Sequence, residues 1–141
     1  MNVLSSLLYY IGQEIEDVRN KFSAIGTLKT AQKEVQISTA GIDTYTDGAS
    51  VSISAGTWVI VGQFDFQTAP TAGTRNLNAV IASGNTIITG TRVFVADNYF
   101  QRLQVSLIRS TNSTETIYIK GSSSKTTTSV GMTAIRAVRI K

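Results

Sequence analysis

The apolar residues Leu4, Leu8, Ile11, Ile15, Val18, Phe22 and Ile25 follow one another at spacings of four and three in strict alternation, with mostly polar residues between them. That is a heptad repeat, with Leu8, Ile15 and Phe22 at a and Leu4, Ile11, Val18 and Ile25 at d. The rest of the chain offers no comparable helix to lie against it. A helix resting on its own domain carries a broader stripe, with apolar residues at e or g too. Here e holds Gly12 and Arg19, and after Leu7 the g positions hold Glu14 and Lys21. The narrow seam predicts that residues 1–28 form a coiled-coil helix covered by sister chains.

Glu14 at g and Arg19 at the following e stand at the offset that pairs opposite charges across parallel helices. Isoleucine at both a and d, with Phe22 demanding space, favours three helices over two. Roughly three heptads is a marginal length for a helix in isolation. Gly12 weakens it by a further ~1 kcal/mol relative to Ala. A trimer held by this seam therefore needs contacts from the following domain as well. Two readings compete with it: a helix packed on its own chain, and a helix lying on a membrane surface. The second fits poorly, because Glu14, Glu16 and Asp17 share the polar face with Arg19 and Lys21.

After about Gly26 the periodicity changes from helical to alternating. In VSISAGTWVIVGQFDF, Val51 and Ile53 alternate with serines, Ala55-Gly56 makes a turn, and Trp58, Ile60, Phe64 and Phe66 share a parity. This reads as a hairpin entering a core strand, with Trp58 in the core. Alternation recurs at Leu77, Ala79 and Ile81, at Val93 and Val95, at Leu103, Val105 and Leu107, at Ile117 and Ile119, and in MTAIRAVRIK. With a first strand around Val35 and Ile37 the total is eight or nine. The segments between them, TAGIDTYTDGA among them, have turn or loop chemistry. Residues 29–141 are thus expected to form one antiparallel β-sandwich of the jelly-roll type. Val59 and Val61, opposite in parity to Trp58 and Ile60, require a neighbour on the second face of their strand. The last strand, ending at Arg139-Ile140-Lys141, is expected to be paired inside a sheet.

The order of these parts resembles the C-terminal head modules of bacteriophage tail fibres and baseplate receptor-binding proteins. They in turn look like the trimeric jelly rolls of tumour-necrosis-factor-like and complement-type heads. The residues that carry the resemblance are the heptad helix, VSISAGTWVIVGQFDF as strand, turn and strand, QVSLIRSTN as a middle hairpin, and TAIRAVRIK as the last strand. What the resemblance implies is a virion component acting at the outside of a host bacterium as a homotrimer, joined to other phage tail or baseplate proteins and recognising a host surface saccharide or wall polymer. A purely structural trimerisation or capping module is the alternative.

Candidate contact residues come from two loops. In DTYTDG, Asp43, Asp47 and Gly48 match positions 1, 5 and 6 of a calcium-binding EF-hand loop, but Tyr45 at position 3 and Ser54 at position 12 do not. A polar turn is the better account, with Tyr45 as a stacking platform between two carboxylates, suited to a saccharide. In ADNYFQR, Asn98 and Tyr99 are secondary ligand candidates, since Tyr99 and Phe100 point to opposite sides. Asn112-Ser113-Thr114 has the form of a glycosylation sequon and reads as a polar hairpin loop.

The net charge of +4 gathers toward the end of the chain, but singly, without the aromatic interleaving or basic helix of a nucleic-acid binder. No nucleic-acid partner is expected; attraction to anionic wall polymers fits better. Arg136 or Arg139 near a threefold axis would need an acid such as Asp65 or a bound anion. With neither His nor Cys, the usual nucleophilic triads cannot form and no metal or cofactor is expected. No phosphate-cradling glycine motif occurs, and no two acids are placed as a glycosidase pair. Binding rather than catalysis is the expectation. The opening MNVLSSLLYYIG lacks a basic start, so no signal peptide is expected, and no apolar run approaches the roughly 18 to 20 residues of a membrane span.

Overall fold

The computed structural model describes residues 2–96, 99–127 and 130–141, and for residues 18–24 the backbone alone. Helix α1 spans Val3–Ala24. Asn2 caps it: the Asn2 Oδ1 accepts from the Ser5 backbone N–H at 2.8 Å, satisfying one of the first-turn donors. Gly26, in the left-handed region at φ 81°, ends the helical run without the penalty a side chain would impose. Ile25, the last heptad position, therefore lies in the turn and not on the helix. Leu4, Leu8, Ile11 and Ile15 are 47–65 % exposed, so the sandwich does not cover this part of the stripe, and the side chains of Val18 and Phe22 lie outside the described residues. Over the described residues the helix is thus not packed on its own chain. Among the described residues no helix is long and apolar enough to cross a membrane.

Eight strands follow: β1 (Leu28–Val35), β2 (Gly41–Ile53), β3 (Gly56–Phe66), β4 (Arg75–Ser83), β5 (Thr86–Val95), β6 (Gln101–Thr111), β7 (Glu115–Ser123) and β8 (Gly131–Arg139). They form two four-stranded antiparallel sheets, ordered β1-β8-β3-β6 and β2-β7-β4-β5. That is the double-sheet arrangement of a jelly roll. Strand β8 is paired on both sides, with β1 and β3, as expected for the final strand. The inner faces bury one another. Trp58, Ile60 and Phe64 of β3 and Ile135 of β8 meet Leu77, Ile81, Ile117 and Ile119 from the opposite sheet, all at most 1 % exposed.

Two expected hairpins are corrected. Strands β2 and β3 belong to different sheets, and so do β6 and β7; each connection crosses from one layer to the other. The reason is that alternation records which side chains face the core, whereas a strand opposite and a strand alongside both satisfy it. At the β2–β3 corner the Trp58 indole Nε1–H donates to the Ser54 carbonyl at 2.9 Å. At the β6–β7 corner Arg109 grips Glu115 through two bonds of 3.0 and 2.8 Å. Among the described residues only β4 and β5 form a hairpin of chain neighbours, through the turn at Gly84.

The segment DTYTDG is a further correction, being part of β2 and not a loop. It was hidden because its pairing with β7 is irregular, with register shifts between Gly41 and Thr46 and between Asp47 and Ser50. Gly48 sits where a Cβ would lie 2.6 Å from the Ile119 carbonyl and 2.8 Å from the Thr133 Oγ1, so only glycine allows this approach. Beside it, the buried Thr133 hydroxyl ties the layers together. It accepts from the Ala49 N–H of β2 at 2.8 Å and donates to the Lys33 carbonyl of β1 at 2.8 Å.

Two predictions test these ties. Thr133→Val keeps the shape but leaves the Ala49 N–H without its acceptor, and is expected to lower unfolding free energy by ~1–3 kcal/mol, read from the denaturant midpoint. Arg109 holds the Glu115 carboxyl below its ordinary range, chiefly by hydrogen bonding. The folded state then binds fewer protons than the unfolded one across that range, so this contribution is full above the unfolded pKa and lost as pH falls through the folded one. The melting-temperature gap between the parent and Glu115→Gln is expected to be widest near neutral pH and to narrow as pH falls below the ordinary glutamate range. A constant gap rules the linkage out.

Candidate ligand-binding face

The outer face of β2-β7-β4-β5 is mixed: the irregular half of β2 delivers Asp43, Tyr45 and Asp47 to it, while β5 brings the exposed Ile87 and Phe94, paired with Ala82 and Asn76 of β4. Each of the three β2 residues meets a residue from a neighbouring strand. Asp43 Oδ1 lies 3.5 Å from Arg92 Nη2 of β5, an exposed pair of little energetic weight. The Tyr45 hydroxyl accepts from Asn78 Nδ2 of β4 at 2.6 Å, and Asn78 is buried. Asp47 Oδ1 lies 2.9 Å from Lys120 Nζ of β7; the Lys120 side chain is 8 % exposed against 52 % for Asp47. The same ammonium donates to Asn85 Oδ1 at 3.4 Å and stands 5.0 Å from the centre of the Tyr118 ring.

Asn78, Arg92, Tyr118 and Lys120 were not among the expected contact residues. The signal that could have found them is the outward parity of their strands: Asn78 alternates with Leu77 and Ala79, while Tyr118 and Lys120 alternate with Ile117 and Ile119. What the sequence lacked was the neighbour relation, β7 lying between β2 and β4.

The second candidate pair is not on this row. Asn98 lies outside the described residues. Tyr99 is on the connection from β5 to β6, where its backbone carbonyl accepts from Arg75 Nη2. Arg75 is fully buried and also donates to the Gln67 carbonyl at 2.7 Å, so it anchors this end of the sandwich from within. Tyr99 and Phe100 are both exposed, at 68 % and 44 %, where only one of them was expected to be. Asp65 is unavailable to Arg136 or Arg139, since Arg102 holds it bidentately at 2.8 and 2.9 Å.

A groove of about 840 Å³ lies on the other sheet, lined in part by Leu28, Val59, Val61, Arg136 and Val138. The face of β2-β7-β4-β5 instead carries a set of mutually satisfied pairs, able to offer hydrogen bonds and a charged rim to a flat or extended ligand. Its stability rests most on the Asp47–Lys120 contact, the one with a buried charge. Asp47→Ala, which leaves that ammonium without its counter-charge, is expected to cost ~1–3 kcal/mol. Lys120→Met, which fills the same space without a charge, should cost less in the same denaturation assay.

No protein-family model matches the chain, and no curated protein matches it. Solved structures do. It is similar to a chain of the infectious bursal disease virus Gx strain at 16 % identity, over 81 % of this chain and 33 % of that one, with a TM-score of 0.51. A second likeness, at 13 % identity and a TM-score of 0.47, is to the VP2 subviral particle of infectious bursal disease virus, over 80 % of this chain and 32 % of that one. This chain thus spans about a third of the length of the proteins it matches. The first likeness is one of fold: the two antiparallel sheets described above form a β-sandwich of a kind found in a viral protein.

Proposed function

We propose that this chain is a structural component of a virion, working as a homotrimer whose N-terminal helices bundle in parallel. The carrying observation is the uncovered heptad stripe: Leu4, Leu8, Ile11 and Ile15 stay exposed beside a sandwich that has its own complete core. Burying such a stripe against water favours association, at roughly 25 cal/mol per Å² of apolar surface. The sandwich fold shared with a viral protein supports placement in a virus particle; the finer placement on a phage tail or baseplate rests on the order of parts in the sequence alone. In this reading the chain binds and assembles and does not catalyse.

A finer reading has the trimer contact a host surface saccharide through Asp43, Tyr45 and Asp47, with Tyr99 as an exposed aromatic. Three weak sites held together would act by avidity. A second reading, a trimerisation or capping module with no glycan ligand, is favoured by the internal pairing of Tyr45 with Asn78 and Asp47 with Lys120. Light scattering at micromolar concentration is expected to give three times the 15.2 kDa chain mass; a monomer removes the homotrimer. Adsorption of the folded trimer to host cells or a glycan array, reduced in Asp43→Ala and Tyr99→Ala, supports the saccharide reading. A trimer that adsorbs to neither leaves the structural module.

A further inference from the structure

We infer that the outer face of β1-β8-β3-β6 is covered by a second copy of this chain, as the continuation of the helix seam. The inference deepens the homotrimer proposed above and rests on it. In the pairing register one row crosses all four strands as Leu28, Val138, Val59 and Ile108, every member apolar. The next row adds Val61 between Arg136 and Ser106. Leu28 and Ile108 are 58 % and 68 % exposed, and Val61 is 39 % exposed. Across these two rows and the uncharged one after them, Arg136 is the sole charge. Charge returns only in the following row, at the Asp65–Arg102 pair. An apolar row bordered by neutral polar side chains and a single arginine is a composition found at protein–protein contacts, where apolar residues and arginine are enriched.

What identifies the occupant is where the apolar row begins. Leu28 stands three residues after Ile25, the last heptad position, which is itself exposed. The chain between them is fastened to the end of β8: the Gly26 N–H donates to the Arg139 carbonyl at 2.7 Å, and the Arg139 N–H to the Thr27 carbonyl at 3.0 Å. Arg139 adjoins Val138 of the row. Seam and row are therefore adjacent parts of one water-averse surface, and whatever gathers the helices brings copies of the row together. The helix also needs this contact, since roughly three heptads carrying Gly12 are marginal alone. About a threefold axis the contact is heterologous, the face of each copy meeting a different patch of the next.

The chain has no cysteine, so an introduced thiol reports on this face alone. Val61→Cys, and separately Ser106→Cys on the exposed neighbouring strand, would be labelled with a maleimide in the full chain. Each is compared with the same variant carrying Ile11→Asp and Ile15→Asp, which breaks the seam, with oligomeric state read by light scattering and folding by circular dichroism. The expected result is labelling at least about tenfold slower in the trimer than in the folded monomer, since thiol reaction follows access. Equal rates in trimer and monomer overturn the inference and leave the helical trimer standing. A parent chain that is already monomeric overturns the homotrimer itself.

Discussion

Each sheet of this protein has one face that water disfavours, and the mutual burial of those two faces organises everything else. Trp58, Ile60, Phe64 and Ile135 come from one layer and Leu77, Ile81, Ile117 and Ile119 from the other, and together they exclude solvent. Because burial is satisfied by any strand with the right parity, the layers need further bonds to lock their relation. The Thr133 hydroxyl, shared between β1, β2 and β8, is one such bond. The Arg109–Glu115 grip at the β6–β7 corner is another.

With the inner faces spent on each other, the outer faces are free to differ, and they do. The face of β2-β7-β4-β5 carries Tyr45, Asn78, Asp47 and Lys120, paired within the chain. The face of β1-β8-β3-β6 carries an apolar row that the chain itself leaves uncovered. The first satisfies its polar groups internally, while the second leaves a contiguous apolar row to solvent. The helix shows the same imbalance: Leu4, Leu8, Ile11 and Ile15 are exposed, and so is Ile25, three residues before Leu28 of that row. The two outer faces of one sandwich thus differ in kind, one carrying polar groups paired within the chain and the other an apolar row.

Several parts of this arrangement were legible from residue order alone. A strict alternation of four and three announces a narrow-seamed helix, and Gly26 marks its end. Alternation with Trp58, Ile60 and Phe64 on one parity announces a β core, and those residues are buried. The opposite parity of Val59 and Val61 announces a second apolar strip on the outer face, and Val59 lies there in an all-apolar row. The candidate site was half legible. Asp43, Tyr45 and Asp47 were recognised as a group because they are close in sequence, but as a loop, since Gly48 and the two aspartates carry turn chemistry. Their neighbours on β4, β5 and β7 are distant in sequence and could not be grouped with them.

What the sequence determined by itself is periodicity, and hence which side of each element avoids water, because a side chain's direction follows from its place along a helix or strand. Only the tertiary structure decided which strands lie alongside and which lie opposite, since both relations bury the same side chains. That decision set Lys120 against Asp47, Asn78 against Tyr45, and Arg102 against Asp65. It also placed Val138, Val59 and Ile108 in one row with Leu28, which no local pattern could show, because adjacency in a sheet is a property of the folded chain and not of its order.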